Sequence, residues 1–494
     1  MISDEGAPET PLTQASAGYR STVRSQIVRV VCKLAGVVVL ARLVSPADHG
    51  LFAMGASLTL LLTLFRDFGT GAVAIQVPQL TEGQKTALWQ LHAGLGVVLT
   101  GLTLLFAPAI AKFYGEPQVG PLLAVMSASF FLIGLNAWPR ALLNRDLRFR
   151  ESNYVETLAA IVGTLVMISG GALGAGAYAF ALFVLVSESV MIPEAWRLCG
   201  WRPTAKADWA GIGELGRTGL HLTGYNVLLY GVQQADVLLL GKWFGPGSLG
   251  LYSRSGQLLV QPTTHLAAPF SQVLLATLSR LGPRSPEFAR HLRDTANAIA
   301  HFTLPVAVLC FVRPTEVVHL VLGPHWGEAA PLLRWVAVSA AVSFLTVTIY
   351  PLCISAGNTI RLTQLTMLTL PVILIGLWAG KDYGPTGVAA GLACANLALL
   401  LPRLWWATFM TAAHLNDFLE AFIGPLGVAI AFGVGLQLGA QIAGQLGPLP
   451  RLLTSLGAGI VAVGMIALVW ARARTEFRAL WSFHPFKRSE ALPS

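Results

Sequence analysis

The chain has 494 residues, of which 54% are hydrophobic and 12% charged, with a mean hydropathy of +0.64. Soluble domains carry about 25% charged residues, and none could bury this much apolar surface, so the composition excludes a water-soluble globular fold and points to a bilayer. The net charge of +9 does not indicate nucleic acid, because the cations stand in short clusters between apolar runs rather than in a basic stripe interleaved with aromatics.

Residues 1–22 are polar, lack the apolar core of a signal peptide, and read as a disordered cytoplasmic tail. Apolar runs of about 20 residues then predict fourteen transmembrane helices in an all-α integral membrane protein. The first six lie at 23–44, 51–75, 88–111, 119–139, 153–173 and 176–195, forming an N-lobe over 23–195. A cytoplasmic linker, 196–214, leads to six more at 215–241, 248–278, 290–312, 329–353, 359–380 and 384–408, a C-lobe over 215–408. Two further helices, 418–442 and 451–471, fill 409–471 as an appendage, and 472–494 reads as a second cytoplasmic tail. Cys32, Cys199, Cys310, Cys353 and Cys394 are scattered through apolar segments with no metal-site or disulfide spacing, so they read as small core hydrophobes and no metal or cofactor is expected.

The cations test this parse. Connections on one side of the fourteen helices carry 6 Lys and Arg, whereas the termini and the connections on the other side carry 24. That asymmetry places both termini in the cytoplasm. A faint repeat adds geometry. Leu40-Ala41-Arg42-Leu43-Val44-Ser45-Pro46, followed by Gly50-Leu51-Phe52, answers to Leu240-Gly241-Lys242-Trp243-Phe244-Gly245-Pro246, followed by Gly250-Leu251-Tyr252. In both copies an apolar helix ends in one cation, turns at a proline and restarts after a glycine. Pro139 answers to Pro351 in the same way, at an offset that drifts from 200 to 212. Each copy spans six helices, an even number, so the two lobes enter the membrane in the same sense and are expected to be related by a pseudo-two-fold along its normal.

Ionisable groups inside apolar spans mark where function should lie, because each costs about 2.5–3.5 kcal/mol at mid-helix on insertion scales. Arg29, Lys33 and Gly36 follow i, i+4, i+7 spacing, so one stripe of the first helix presents two cations and a gap, with Arg24 at the cytoplasmic mouth. At 1.5 Å per residue, Arg29 lies about 20 Å from the outer end of its helix and Arg66 and Asp67 about 24–26 Å from theirs. Asp236 and Arg254 lie about 6–9 Å from the outer surface. Two ion pairs are therefore expected, Arg29–Asp67 and Asp236–Arg254, which would serve as structural pairs or a gate. Arg24, Lys33 and Arg66 then remain as a surplus of cations suited to a phosphate-bearing lipid, snorkelling to the headgroups being the alternative. Glu188, inside the sixth helix, is a candidate for proton coupling or for a neutral packing contact.

ARLVSPADHGLFAMG (residues 41–55), RDFGTGAVAIQ (66–76) and WPRALLNRDLRFR (138–150) resemble the oligosaccharide flippases of the Wzx type, within the multidrug/oligosaccharidyl-lipid/polysaccharide exporter superfamily. The resemblance implies a V-shaped core of two lobes and extra helices, with cationic central cavities and alternating access. It further implies movement of an undecaprenyl-pyrophosphate-linked oligosaccharide across the bacterial inner membrane for O-antigen (lipopolysaccharide), capsule or exopolysaccharide biosynthesis. The expected partners are that lipid-linked oligosaccharide and membrane lipids, with a polymerase and glycosyltransferases as candidates. Two other classes remain. A drug/cation antiporter of the same fold should show acids outnumbering bases in its lobes. A membrane glycosyltransferase, polymerase or ligase should carry a large outer loop or domain, and the connections here are short.

Overall fold

The computed structural model describes residues 11–67, 80–203, 206–209, 212–409 and 411–482, and every described element is a helix. Apolar side chains leave the backbone to satisfy itself, and in lipid only a helix does so within one segment. In chain order the helices are α1 (Pro11–Leu43), α2 (Pro46–Asp67), α3 (Glu82–Tyr114), α4 (Val119–Arg145), α5 (Phe149–Ala172), α6 (Tyr178–Cys199) and α7 (Ile212–Arg280). They continue as α8 (Pro286–Val312), α9 (Pro314–Val321), α10 (Ala329–Leu345), α11 (Ile349–Ser355), α12 (Thr359–Gly380), α13 (Gly384–Thr408), α14 (Leu415–Ala443), α15 (Pro448–Val469) and α16 (Ala471–Ser482). Ten segments of the described chain are long and apolar enough to cross a membrane, one of which, Ile360–Thr408, contains both α12 and α13. The helix α1 stands outside those ten, set apart by the close spacing of Arg24, Arg29, Lys33 and Arg42.

Two expectations need correction. Residues 11–22 are the start of α1 rather than a disordered tail, while in the C-terminal segment 471–482 form α16. The chain divides into two compact units, residues 1–230 with 245–249 and residues 231–244 with 250–494, so the division falls inside α7 and not in the 196–214 stretch. The residues after α6 are instead tied to the N-terminal unit: the Trp201 indole donates to Glu82 at 2.9 Å, and the Asp208 amide donates to the Gly83 carbonyl at 3.0 Å.

The repeat appears as matching breaks. Leu43 ends α1 and Pro46 starts α2, while α7 bends at Gly245, whose φ of 76° and ψ of −175° only glycine adopts without strain. Each unit also pairs its helices in the same way. In the N-terminal unit α1 lies along α5, α3 along α4, and α6 along both α5 and α4. In the C-terminal unit residues 231–244 of α7 meet α12, through Gly231 against Leu370, and Lys381 lies over the Trp243 ring at 5.4 Å. There α8 lies along α10, and α13 along both α12 and α10, while α14 packs on α8 and α15.

Small residues set the closest crossings, as expected where lipid offers no hydrophobic drive between helices. A Cβ on Gly96 of α3 would stand 2.6 Å from the Phe130 carbonyl oxygen of α4, and one on Gly134 would stand 2.7 Å from that of His92. Gly376 and Gly380 of α12 meet Gly391 and Gly387 of α13 in the same fashion.

Candidate functional site

The pairing of α1 with α5 fixes the surroundings of the first-helix cations. The two helices run parallel: Thr22 accepts from Asn153, Arg29 meets Glu156, Gly36 takes Met167 and Thr164, and Leu40 and Val44 pack on Met167. The gap at Gly36 is thus filled by α5, and the stripe read as cations and a gap is largely a packing face.

Among the described residues Arg29 finds its acid on α5, and the expected partner Asp67 lies outside the described side chains. Its guanidinium pairs with one oxygen of Glu156 and donates to Gln26 at 2.9 Å, while Arg140 of α4 takes the other oxygen of Glu156 at 2.7 Å. One carboxylate therefore bridges two arginines across three helices and leaves a positive charge over. Lys33, one turn beyond Arg29, and Arg24, on the turn before it, are both exposed. The side chains of Arg66 and Asp67 lie outside the described residues. Neither Glu156 nor Arg140 is among the site residues expected from the sequence. The available signal was depth, since the first and fifth helices run the same way and an acid one turn into the fifth sits level with Arg29.

Asp236 does not pair with Arg254. Its carboxylate accepts from the Tyr252 hydroxyl at 2.5 Å and from the Val237 amide at 2.8 Å. Arg254, 6% exposed, donates to Gln257 at 2.6 Å. Successive residues turn by about 100° around a helix, so Tyr252 and Arg254 face nearly opposite ways and only one can meet Asp236. Glu188 of α6 accepts from the Asn136 amide of α4 at 3.4 Å. Asn136 is fully buried and its carboxamide oxygen has no hydrogen-bond partner.

A family model described as "Polysaccharide biosynthesis protein" matches residues 39–331. The chain is 23% identical over 385 residues to the lipopolysaccharide biosynthesis protein WzxC of Escherichia coli K12, covering 76% of this chain and 77% of that protein. It is 20% identical over 476 residues to the teichuronic acid biosynthesis protein TuaB of Bacillus subtilis 168, covering 94% and 98%. Its fold is similar to that of the lipid II flippase MurJ in an inward closed conformation, with a TM-score of 0.71, 17% identity, and coverage of 93% of this chain and 99% of that one.

Proposed function

The chain belongs to the polysaccharide biosynthesis protein family, and from that premise we propose that it carries an undecaprenyl-pyrophosphate-linked oligosaccharide across the bacterial inner membrane for surface polysaccharide assembly. It acts as a transporter and not as an enzyme, by alternating access of two six-helix lobes that stand the same way up, with two appended helices, fourteen crossings and both termini in the cytoplasm. The observation that carries this reading is the cluster of cations at α1: Arg29 and Arg140 share one acid, and Lys33 and Arg24 stand exposed near them. Pyrophosphate docks on Lys33, Arg29 and Arg66, with Arg24 at the entrance, because arginine forks and lysine point charges are the usual phosphate partners. A site for cationic drugs would need the opposite balance.

Outward movement of a ligand of charge about −2 runs downhill in an inside-negative potential by roughly 4–5 kcal/mol per 100 mV. Glu188 couples a proton to that movement. Neutral, its acid can face the Asn136 carboxamide in a ring of two hydrogen bonds that also satisfies the orphaned amide oxygen; ionised, it has no proton to donate. The site is tested by replacing Lys33, Arg66 and Arg29 singly with Ala in a strain whose surface polysaccharide depends on this protein. Loss of surface polymer at normal protein levels, with lipid-linked oligosaccharide retained in the inner leaflet, is expected. Full restoration of the polymer by all three variants would overturn the reading.

A further inference from the structure

Arg403 is the one arginine of the α12–α13 hairpin whose placement no helix-capping role accounts for. Arg361, at the start of α12, behaves conventionally: it donates to the Trp406 and Phe409 carbonyls at 3.4 and 3.0 Å and lies over the Phe409 ring at 4.8 Å, closing the C-terminal end of α13. Arg403, although only about five residues from that same end, turns the other way. Its Nε donates to the Thr369 hydroxyl at 3.3 Å and one terminal nitrogen donates to the Asn396 oxygen at 3.2 Å.

Both contacts draw the charge inward. Asn396 is seven residues back along α13, about 10 Å along its axis, and Thr369 stands about 15 Å into α12, near its middle. Snorkelling would send the guanidinium toward the helix end. Instead it is held toward the middle of the hairpin by two neutral, buried side chains, Thr369 and Asn396. Among the described residues Arg403 forms no ion pair, and helices α12 and α13 contain no Asp or Glu. A guanidinium has five N–H donors, and two are used here. A full positive charge inside an apolar span, oriented by neutral groups and keeping unused donors, is the arrangement of a site that takes its counter-charge from a ligand.

We propose that Arg403, oriented by Thr369 and Asn396, is an anion-binding residue of the C-terminal unit that contacts the phosphate of a lipid. The forked donor suits phosphate oxygens, and among the described residues no carboxylate pairs with it. The phosphate has two sources with the same chemistry, the pyrophosphate of the carried lipid or the headgroup of an ordinary phospholipid. The first deepens the transport reading above and rests on it; the second does not. The adjoining sequence shows how such a site arises in a repeat. Pro402-Arg403-Leu404-Trp405 of α13 mirrors Pro193-Glu194-Ala195-Trp196 of α6, and Glu194 is matched on its own helix by Arg197 at 2.6 Å. The charge at the equivalent position is reversed, and its local partner is gone.

The test uses the full-length protein in nanodiscs, as wild type, Arg403→Ala and Arg403→Lys, titrated separately with undecaprenyl pyrophosphate and with phosphatidylglycerol by native mass spectrometry. Loss of one charge-assisted contact should weaken binding by about tenfold or more in Arg403→Ala, with partial recovery in Arg403→Lys. Weakening confined to the pyrophosphate lipid assigns the carried substrate, and equal weakening of both lipids assigns a headgroup site. Unchanged affinity of Arg403→Ala for both lipids overturns the proposal. Should Arg403→Ala fail to fold, Arg403→Lys decides alone, since a purely structural tether to Thr369 and Asn396 would alter its melting temperature and leave lipid affinity unmoved. Wild type that binds no pyrophosphate lipid at all speaks against the transport reading, whereas unaffected Arg403 variants beside inactive Lys33 variants defeat only the present proposal.

Discussion

The hairpins α5–α6 and α12–α13 occupy the same place in the repeat and carry charge of opposite sign. In α5–α6 the helices hold Glu151, Glu156, Glu188 and Glu194 against Arg150 and Arg197, a net negative charge, and Glu156 receives arginines from α1 and α4. In α12–α13 the helices hold Arg361 and Arg403 with no acid of their own. The packing is shared where the charge is not. Small residues line both seams, Gly163 against Ser187 and Gly170 against Ala179 in one, Gly376 and Gly380 against Gly391 and Gly387 in the other. The scaffold is held by close backbone approach, so the polar side chains on it were free to diverge into different sites.

The sharpest way to break that comparison is to fill the seams. Gly391→Val should abolish folded protein, because its side chain meets the Gly376 backbone, which cannot swing aside; overpacking of this kind costs about 3 kcal/mol or more. Gly163→Ala, whose new methyl meets the movable hydroxyl of Ser187, should cost about 1 kcal/mol, and Gly101→Ala, with open space around it, should cost nothing. The yield of monodisperse protein in size-exclusion chromatography orders the three. Equal yields for Gly391→Val and Gly101→Ala would refute the backbone-limited packing.

A second experiment addresses the charges. Glu156→Ala leaves Arg29 and Arg140 facing one another and should destabilise the N-terminal unit by about 1–3 kcal/mol, since all three side chains are partly exposed to solvent. Glu156→Gln, which keeps an acceptor, should lose less. Thermal unfolding of the purified variants checks both. If Glu156→Ala matches wild type, the acid does not organise the two arginines and the contrast between the hairpins weakens.

Much of this organisation is legible in the sequence and some is not, for a physical reason. Apolar runs reveal where helices are, and the Ser45-Pro46 and Gly245-Pro246 pair marks where both copies break. A helix that is hydrophobic all round, however, shows no polar face to fix its rotation. Depth can be counted along such a helix, but the direction of Arg29 or Asp236 cannot. Depth alone therefore sets Asp236 against Arg254, whereas rotation gives it Tyr252, and nothing in the sequence shows which way Arg403 turns from its helix end. The small residues at 376, 380, 387 and 391 do carry rotational information, because glycines four apart mark the face on which a helix is approached.

Glu188 offers a smaller and purely functional effect. Glu188→Gln keeps size and hydrogen bonding to Asn136 and removes the titratable proton, so melting temperature should stay within about 1 °C of wild type. Transport into vesicles by Glu188→Gln should lose its dependence on an imposed pH gradient while its dependence on voltage persists. Arg140 on α4, Glu156 on α5 with its partner Arg29 on α1, and His92 on α3 are charged or titratable groups on the helices packed around α4 and α6, and Arg66 and Asp67 belong to the neighbouring α2. Matching variants at Glu156 and His92 should leave the gradient dependence in place. A gradient response unchanged in Glu188→Gln would remove the acid from the coupling role.

The smallest expected effect separates a hydroxyl partner from a charged one. Asp236 accepts from Tyr252, and Arg254 faces elsewhere, so a double-mutant cycle of Asp236→Asn with Tyr252→Phe should show coupling of about 1–2 kcal/mol in thermal unfolding. The cycle of Asp236→Asn with Arg254→Gln should close to within about 0.5 kcal/mol, the limit for residues that share no partner. Asp236→Asn alone should be mild, because the amide oxygen still accepts from the Tyr252 hydroxyl. Coupling to Arg254 that equals or exceeds coupling to Tyr252 would restore the ion pair expected from depth alone, and with it the view that opposite charges at one level of the membrane find each other whatever the rotation of their helices.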